Sequence, residues 1–245
     1  MIPKIIWQTY EDPYDKLEDS LKELTISWKK INPDWEYRYM SSSERENFII
    51  KNFGKDWLDI YLSCPIKTMQ SNIWRYMVAY VYGGLYVDLD TVCNKPIEEW
   101  IDINLNLLFS VDTLDKTYYA QFAFASSKNN EVLKFLLDKI KEKFLTSNLL
   151  EDTKKLSSSK LSYSYTGTEI WTNSINSFFK LQKKAAEINS TFINLKTKNH
   201  GAYCYAKNEE KFFNGYGMTH FGSGDWSNNS YVAFGKKIEK KESNG

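Results

Sequence analysis

The chain is poor in the residues that usually announce a metal cluster or a disulfide framework. Among 245 residues there are three cysteines and two histidines. Cys64, Cys93 and Cys204 are odd in number, far apart and without CxxC spacing, which indicates neither a zinc cluster nor a disulfide scaffold. They are expected to be buried free thiols. His200 and His220 alone do not make a His-rich site, so any hard cation would be held mainly by carboxylates. Charge of one sign is also missing. Thirty-two Lys plus Arg against 31 Asp plus Glu leave a net +1, without the basic excess that non-specific nucleic-acid binding uses. No segment approaches 18 uninterrupted apolar residues. The opening Met1-Ile2-Pro3-Lys4-Ile5-Ile6-Trp7 lacks the basic region and long apolar stretch of an export signal. The expectation is a soluble cytoplasmic chain with no transmembrane segment and no nucleic-acid partner.

What is present is core material. The 42% hydrophobic content, with 17 Tyr, 14 Phe and 8 Trp, excludes intrinsic disorder for most of the chain. The length suits one large core. A single domain over 1–235 is expected, followed by a charged flexible tail, 236–245, that has no apolar stripe.

Ile2 to Thr9 is a β-branched run opened by Pro3 and reads as a buried strand. Leu17, Leu21, Leu24 and Trp28 are spaced for a helix over Asp15 to Lys30, stopped at Asn32-Pro33. Trp35 to Tyr39 alternates as a short strand. This β-α-β opening predicts an α/β fold with a mostly parallel central sheet flanked by helices. A helix is expected over Ser42 to Phe53 with Gly54 as its cap. From Ile66 to Val81, Met69, Ile73, Met77 and Val81 keep one apolar stripe that halts at Gly83-Gly84. Leu85 to Val87 is a strand running into Asp88-Leu89-Asp90. Further strands are expected at Leu107 to Val111, Tyr119 to Ala125 and Thr191 to Leu195. Helices are expected over Glu131 to Phe144 and Thr168 to Phe179. The polar, Ser-rich stretch from Glu151 to Tyr165 reads as a mobile loop.

Chemistry concentrates at the acidic pair. Two residues apart on an extended chain, Asp88 and Asp90 leave one face while Leu89 points into the core. Converging carboxylates can hold Mg²⁺ or Mn²⁺ and leave positions open for diphosphate oxygens. A lone DxD triplet is more often a solvated turn, but its surroundings add to it. Ser71, Asn72 and Arg75 put hydrogen-bonding and cationic groups on a helix face apart from the Met69, Ile73, Met77 stripe. Gly83-Gly84 lets the backbone turn tightly and approach a ligand closely. A ligand between helix and strand end would meet a guanidinium, an amide and a metal. The competing reading of Arg75 is an ion pair with Asp88 or Asp90.

Ser71-Asn72-Ile73-Trp74-Arg75-Tyr76, followed by Tyr82-Gly83-Gly84-Leu85-Tyr86-Val87-Asp88-Leu89-Asp90, resembles the signature of the DXD-containing sugar transferases of glycosyltransferase family 32. That family includes initiating α-1,6-mannosyltransferases and bacterial capsule and lipooligosaccharide enzymes, and is more distantly related to glucosylating toxins. Ile2-Pro3-Lys4-Ile5-Ile6-Trp7-Gln8-Thr9 is similar to its first strand, and His220-Phe221-Gly222-Ser223-Gly224-Asp225-Trp226 to its closing segment. The chain departs from the pattern at Asn72, where the family usually has Asp, at Trp7, where His is common, at Asp225, where Ser often precedes the final Trp, and at Thr166-Gly167-Thr168, a Thr-Gly-Pro turn without its proline.

The resemblance implies a GT-A-like fold, a nucleotide-sugar donor (a UDP-hexose in preference to GDP-mannose), Mn²⁺ or Mg²⁺, and retention of anomeric configuration. The acceptor would be a glycan or lipid-linked saccharide. Asp88, Asp90 and Arg75 are the expected catalytic residues. Asp88, Asp90 and His220 are the expected metal ligands, with Asp90 direct and Asp88 acting through water or shared with the ribose. Gln8, Tyr10, Asn72, Arg75, Gly84, Asp88, Ser223 and Trp226 are expected at the donor, Tyr10 stacking on the base and Trp226 closing over the phosphates. Retention by same-face attack or through a covalent intermediate stays open, with Glu169 and Asp225 as candidate carboxylates. Glu151 to Tyr165 and Gly215 to Gly224 would be lids, and Lys236 to Lys241 could touch an anionic membrane at its periphery. The alternatives are a nucleotide-sugar hydrolase on the same site and a catalytically silent carbohydrate-binding protein.

Overall fold

The computed structural model describes residues 1–110, 118–179, 194–197, 202–205 and 218–220. The chain opens with strand β1 (Ile5–Thr9), helix α1 (Asp19–Ile31) and strand β2 (Glu36–Met40). Three helices follow, α2 (Ser42–Phe53), α3 (Lys55–Ser63) and α4 (Lys67–Tyr82). Strands β3 (Gly84–Val87), β4 (Thr91–Cys93), β5 (Leu107–Ser110) and β6 (Ala123–Ser126) come next. Helices α5 (Glu131–Thr146), α6 (Leu149–Lys155), α7 (Ser158–Tyr165) and α8 (Thr168–Phe178) precede β7 (Asn194–Thr197), β8 (Ala202–Tyr205) and β9 (Met218–His220).

Seven strands form one sheet in the order β2-β1-β3-β6-β5-β8-β7, and β4 pairs with β9 in a separate ladder. The α/β class and the flanking helices are as expected, but the sheet is mixed. Pairings β1/β2, β1/β3 and β5/β8 are parallel, whereas β3/β6, β5/β6 and β7/β8 are antiparallel. Strand direction follows from how the chain returns to the sheet, which local periodicity does not encode.

Both faces of the central strands β1, β3, β5 and β6 are buried, and the two-residue period sorts the side chains between them. Trp7, Tyr86, Phe124 and Phe109 face the cluster built with α2, α4, α5 and α8. Ile6, Leu85, Val87, Ala123, Ala125 and Leu108 face the cluster that contains Trp28 of α1. A smaller cluster, Leu17, Leu21, Leu24 and Leu89, has Tyr10 packed against it.

Helix α4 is the spine. Every residue from Asn72 to Ala79 is buried, so the expected single stripe is in fact a helix covered on nearly all sides. Gly83 ends it with φ +70°, its N–H donating to Ala79 O at 2.9 Å. The expected mobile loop over Glu151 to Tyr165 is instead helices α6 and α7. Asn148 accepts from the Glu151 N–H at 3.2 Å and Ser157 from the Lys160 N–H at 3.3 Å. Ser157, which reads as a loop signal, is an N-cap, and Asn148 just before the stretch is another. Tyr165 Oη then donates to Asp152 Oδ2 at 2.7 Å, tying α7 to α6, so this stretch is no loop-like lid. Of the second lid segment only Met218–His220, strand β9, is described, and the tail from 236 to 245 lies outside the described residues.

Candidate active site

The site forms where parallel β1 and β3 end side by side, the crevice at strand carboxyl ends in which open α/β sheets bind ligands. Asp88 leaves β3 with its backbone pinned on three sides. Its N–H donates to Phe122 O at 2.8 Å. Its carbonyl accepts from Gln8 Nε2 at 3.0 Å and from Thr91 Oγ1 at 2.6 Å. The fully buried Gln8 is itself held by Tyr37 Oη at 2.9 Å, so β1 and β2 jointly fix the height of Asp88. Leu89 turns into its apolar cluster, as expected.

The chain then enters β4, whose Thr91 lies opposite His220 of β9. That pairing brings a residue 130 positions away to the acidic pair. One ligand atom each from Asp88, Asp90 and His220 lies within 4.8 Å of the others. His220 Nε2 is 3.4 Å from Asp90 Oδ1, and its ring stacks on Phe122 with centroids 4.1 Å apart and planes at 12°. Two hard oxygens and one imidazole suit Mn²⁺ or Mg²⁺, and the converging side chains, Asp88 and His220 partly exposed and Asp90 buried, fit such an ion.

Arg75 supplies the opposing charge. Its Nη2 lies 3.2 Å from Asp88 Oδ1, Nη1 donates to Gln121 O at 3.0 Å, and the guanidinium sits 4.6 Å over the Tyr86 ring. Tyr86 Oη also donates to Asp88 Oδ1. Both contacts fall on Oδ1, which leaves Oδ2 without a donor among the described residues. Burial pushes the Asp88 carboxyl above the ordinary carboxylate range, Asp90 adds to the shift, and Arg75, His220 and the Tyr86 hydroxyl oppose it. The side chain still exposes 26% of its surface, so water tempers that effect.

One turn before Arg75, Asn72 is completely buried. Its amide nitrogen donates to Thr166 Oγ1 at 3.2 Å and Ser162 Oγ at 3.5 Å. Asn72 Oδ1, Arg75 Nε and Thr168 Oγ1 have no hydrogen-bond partner among the described residues. An orphaned buried polar atom costs about 1–3 kcal/mol, and such atoms in native proteins call for a reason, among them a missing ligand.

The structure therefore brings Gln8, Arg75, Asp88, Asp90 and His220 together, with Asn72 on the same helix and Tyr10 just past β1. Arg75 does pair with Asp88, itself one of the three candidate metal ligands. Gly84 is a correction. It opens β3, roughly 13 Å from Asp88 at about 3.3 Å per residue. Its close approach is to protein, since a Cβ there would meet Ile5 O at 2.6 Å and Trp7 Nε1 at 3.2 Å. Trp7 is core, donating to Gly83 O at 2.9 Å. Glu169 lines a groove between α5 and α8 with Lys139 and Lys143. Ser223, Asp225 and Trp226 lie outside the described residues. Tyr37, Tyr86, Gln121 and Phe122 were not foreseen, because each acts through a contact that only the folded sheet creates.

A sheet flanked by helices with an acid pair at the carboxyl end of β3 is the arrangement of a GT-A-like fold. The solved PaToxG glycosyltransferase is similar in fold, with a TM-score of 0.51 at 16% identity over 73% of this chain and 70% of that one. Residues 18–106 match the glycosyltransferase sugar-binding region containing DXD motif, which bears out the family resemblance. The chain is 28% identical over 202 residues to the initiation-specific alpha-1,6-mannosyltransferase of Schizosaccharomyces pombe, covering 74% of this chain and 50% of that protein. It is 26% identical over 182 residues to an uncharacterized glycosyltransferase of Acanthamoeba polyphaga mimivirus, covering 74% of this chain and 67% of that one. The chain thus spans about half the length of the fission yeast relative. No helix among the described residues is long and apolar enough to cross a membrane.

Proposed function

We propose that the protein is a metal-dependent, retaining glycosyltransferase that moves a hexose from a nucleoside diphosphate donor to a glycan or lipid-linked saccharide. The observation that carries this reading is the convergence of Asp88, Asp90 and His220 within 4.8 Å, beside Arg75, at the carboxyl ends of β1 and β3. When the glycosidic bond breaks, negative charge builds on the departing diphosphate, and stabilising it is the largest catalytic demand. A divalent cation held by Asp90, Asp88 and His220 would supply that neutralisation. Arg75 faces the same charge with a fixed fork. Asn72 Oδ1, Arg75 Nε and Thr168 Oγ1 offer an acceptor, a donor and a hydroxyl to the sugar. Tyr10 offers a flat ring to the base.

The donor sugar is a hexose by family resemblance, with a UDP-hexose as the first expectation. The fission yeast relative, an initiation-specific alpha-1,6-mannosyltransferase, favours mannose as the second reading. The test is release of nucleoside diphosphate with Mn²⁺ across UDP-hexoses and GDP-mannose, with and without saccharide acceptors. Release that needs acceptor supports transfer, and equal release without it would make the protein a hydrolase. Asp90→Ala should lower Mn²⁺ affinity at least tenfold, since removing even an outer-shell partner of a metal ligand costs about 10–100-fold. Unchanged Mn²⁺ affinity would refute the metal assignment, and an absence of nucleotide binding would favour the silent carbohydrate-binding reading.

A further inference from the structure

Arg45 of α2 is fully buried, and nothing in the reaction proposed above uses it. Its fork reaches the segment that leaves β1. Nη1 donates to Thr9 Oγ1 at 2.7 Å and Tyr10 O at 3.2 Å, Nη2 pairs with the Glu11 carboxylate, and Nε donates to Tyr61 Oη of α3 at 2.8 Å. Thr9 Oγ1 also donates to Met40 O at 2.6 Å, and the Ser42 N–H donates to Glu11 O at 3.1 Å. Three consecutive residues at the carboxyl end of β1 are thus clamped by β2, α2 and α3, with Arg45 at the centre. A buried ion pair is a poor source of stability compared with an apolar side chain of similar volume. A planar guanidinium can, however, satisfy four acceptors of fixed relative position, which an ammonium cannot.

We propose that Arg45 is a positioning residue for the donor. It holds Thr9–Glu11 so that the ring of Tyr10 is presented to the nucleotide base, and it thereby sets affinity for the nucleoside and not for the diphosphate. This rests on the glycosyltransferase reading and adds a residue to it. Tyr10 packs against the cluster that contains Leu89, the residue between the two aspartates, so the clamped segment and the metal ligands share one support.

The test compares Mn²⁺-dependent binding of UDP, GDP and inorganic pyrophosphate by calorimetry in wild type, Arg45→Lys, Tyr61→Phe, Tyr10→Ala and the Arg45→Lys/Tyr10→Ala double variant. Tyr61→Phe removes one acceptor of Arg45 without touching the segment, and it carries the test if Arg45→Lys does not fold. The expected result is an about tenfold loss of nucleoside diphosphate affinity in each single variant, the worth of one base stack, while pyrophosphate binding stays unchanged. The double variant should lose no more than Tyr10→Ala alone. Folded Arg45→Lys or Tyr61→Phe with unchanged UDP and GDP affinity would overturn the inference, as would equal losses for pyrophosphate or additive losses in the double variant. Wild type that binds pyrophosphate as well as it binds UDP and GDP would overturn it and leave the metal and phosphate reading standing. Wild type that binds none of the three would remove the glycosyltransferase reading itself.

Discussion

Replacing Arg75 by methionine keeps most of the buried stem and deletes the cation facing Asp88. The wild-type pair has Nη2 3.2 Å from Asp88 Oδ1, with the arginine side chain only 5% exposed. Breaking a buried pair by removing one partner costs about 3–5 kcal/mol. Asp88 keeps 26% exposure, so water recovers part of that, while Gln121 O loses its donor at a cost of about 1 kcal/mol. The expected loss without metal is about 2–4 kcal/mol, read from urea unfolding followed by tryptophan fluorescence. The same change removes a positive charge that opposes a bound dication, so Mn²⁺ should bind the variant more tightly by about tenfold, even though transfer is slowed. Mn²⁺ at about one hundred times its Kd contributes about 2.7 kcal/mol to the wild type, and the variant should gain more at the same concentration. The reasoning fails if the metal-free loss is below about 1 kcal/mol, or if Mn²⁺ binds the variant more weakly. The latter result would make Arg75 a scaffold of the metal ligands and not a charge set against the ion.

Two further outcomes follow from the packing and the thiols. Gly84→Ala should lose about 3 kcal/mol or more, because φ is +104° and a Cβ would lie 2.6 Å from Ile5 O; a loss under about 1 kcal/mol in chemical denaturation would show that β1 and β3 can separate there. Burial pushes the Cys93 thiol up to about 11 and the Cys64 thiol up to about 12, against an ordinary value of 9.0. The unfolded chain therefore gives up these protons first, so their contribution to stability is intact below pH 9 and is lost as pH rises towards 11 and beyond, by about 1.4 kcal/mol per unit for each thiol. Native protein at pH 8 should leave both residues unlabelled by iodoacetamide in peptide mass spectra, and labelling at the rate of a free thiol would contradict their burial.

Much of the fold is legible because burial imposes a period. Helix α2 begins and ends where its capping signals lie, with Ser41 and Glu44 forming a capping box and Gly54 at φ +82° closing it. What escaped is instructive in a different way for each element. Helix α3, packed through Trp57, Ile60 and Tyr61, starts directly after that glycine, where the reading had already stopped a helix. Helices α6 and α7 escaped because Asn148 and Ser157 favour a loop and an N-cap alike. The mixed sheet escaped because β6 returns beside β3 in the opposite direction, a decision taken far from either strand. At the site, spacing put Asp88, Asp90 and Arg75 at one strand–helix junction, and the family resemblance added His220. Gly84 was half legible, since a glycine announces space without saying whether ligand or protein fills it.

The two buried arginines differ in what their forks leave open. Arg45 and Arg75 come from α2 and α4, helices that pack into the same core cluster, and they address the ends of neighbouring parallel strands. Arg45 ends on Glu11, Thr9, Tyr10 and Tyr61 and has no exposed surface, so its fork is filled by protein. Among the described residues Arg75 Nε has no hydrogen-bond partner, and Asp88 Oδ2 has no donor while a quarter of that side chain is open. A closed charge pair fixes geometry, because any movement would leave a charge buried without its partner. An open one retains bonding capacity for a group that arrives later. Rigidity beside Tyr10 and reserve capacity beside Asp88 are what a site needs if it must hold a nucleoside still while charge grows on the phosphates next to it.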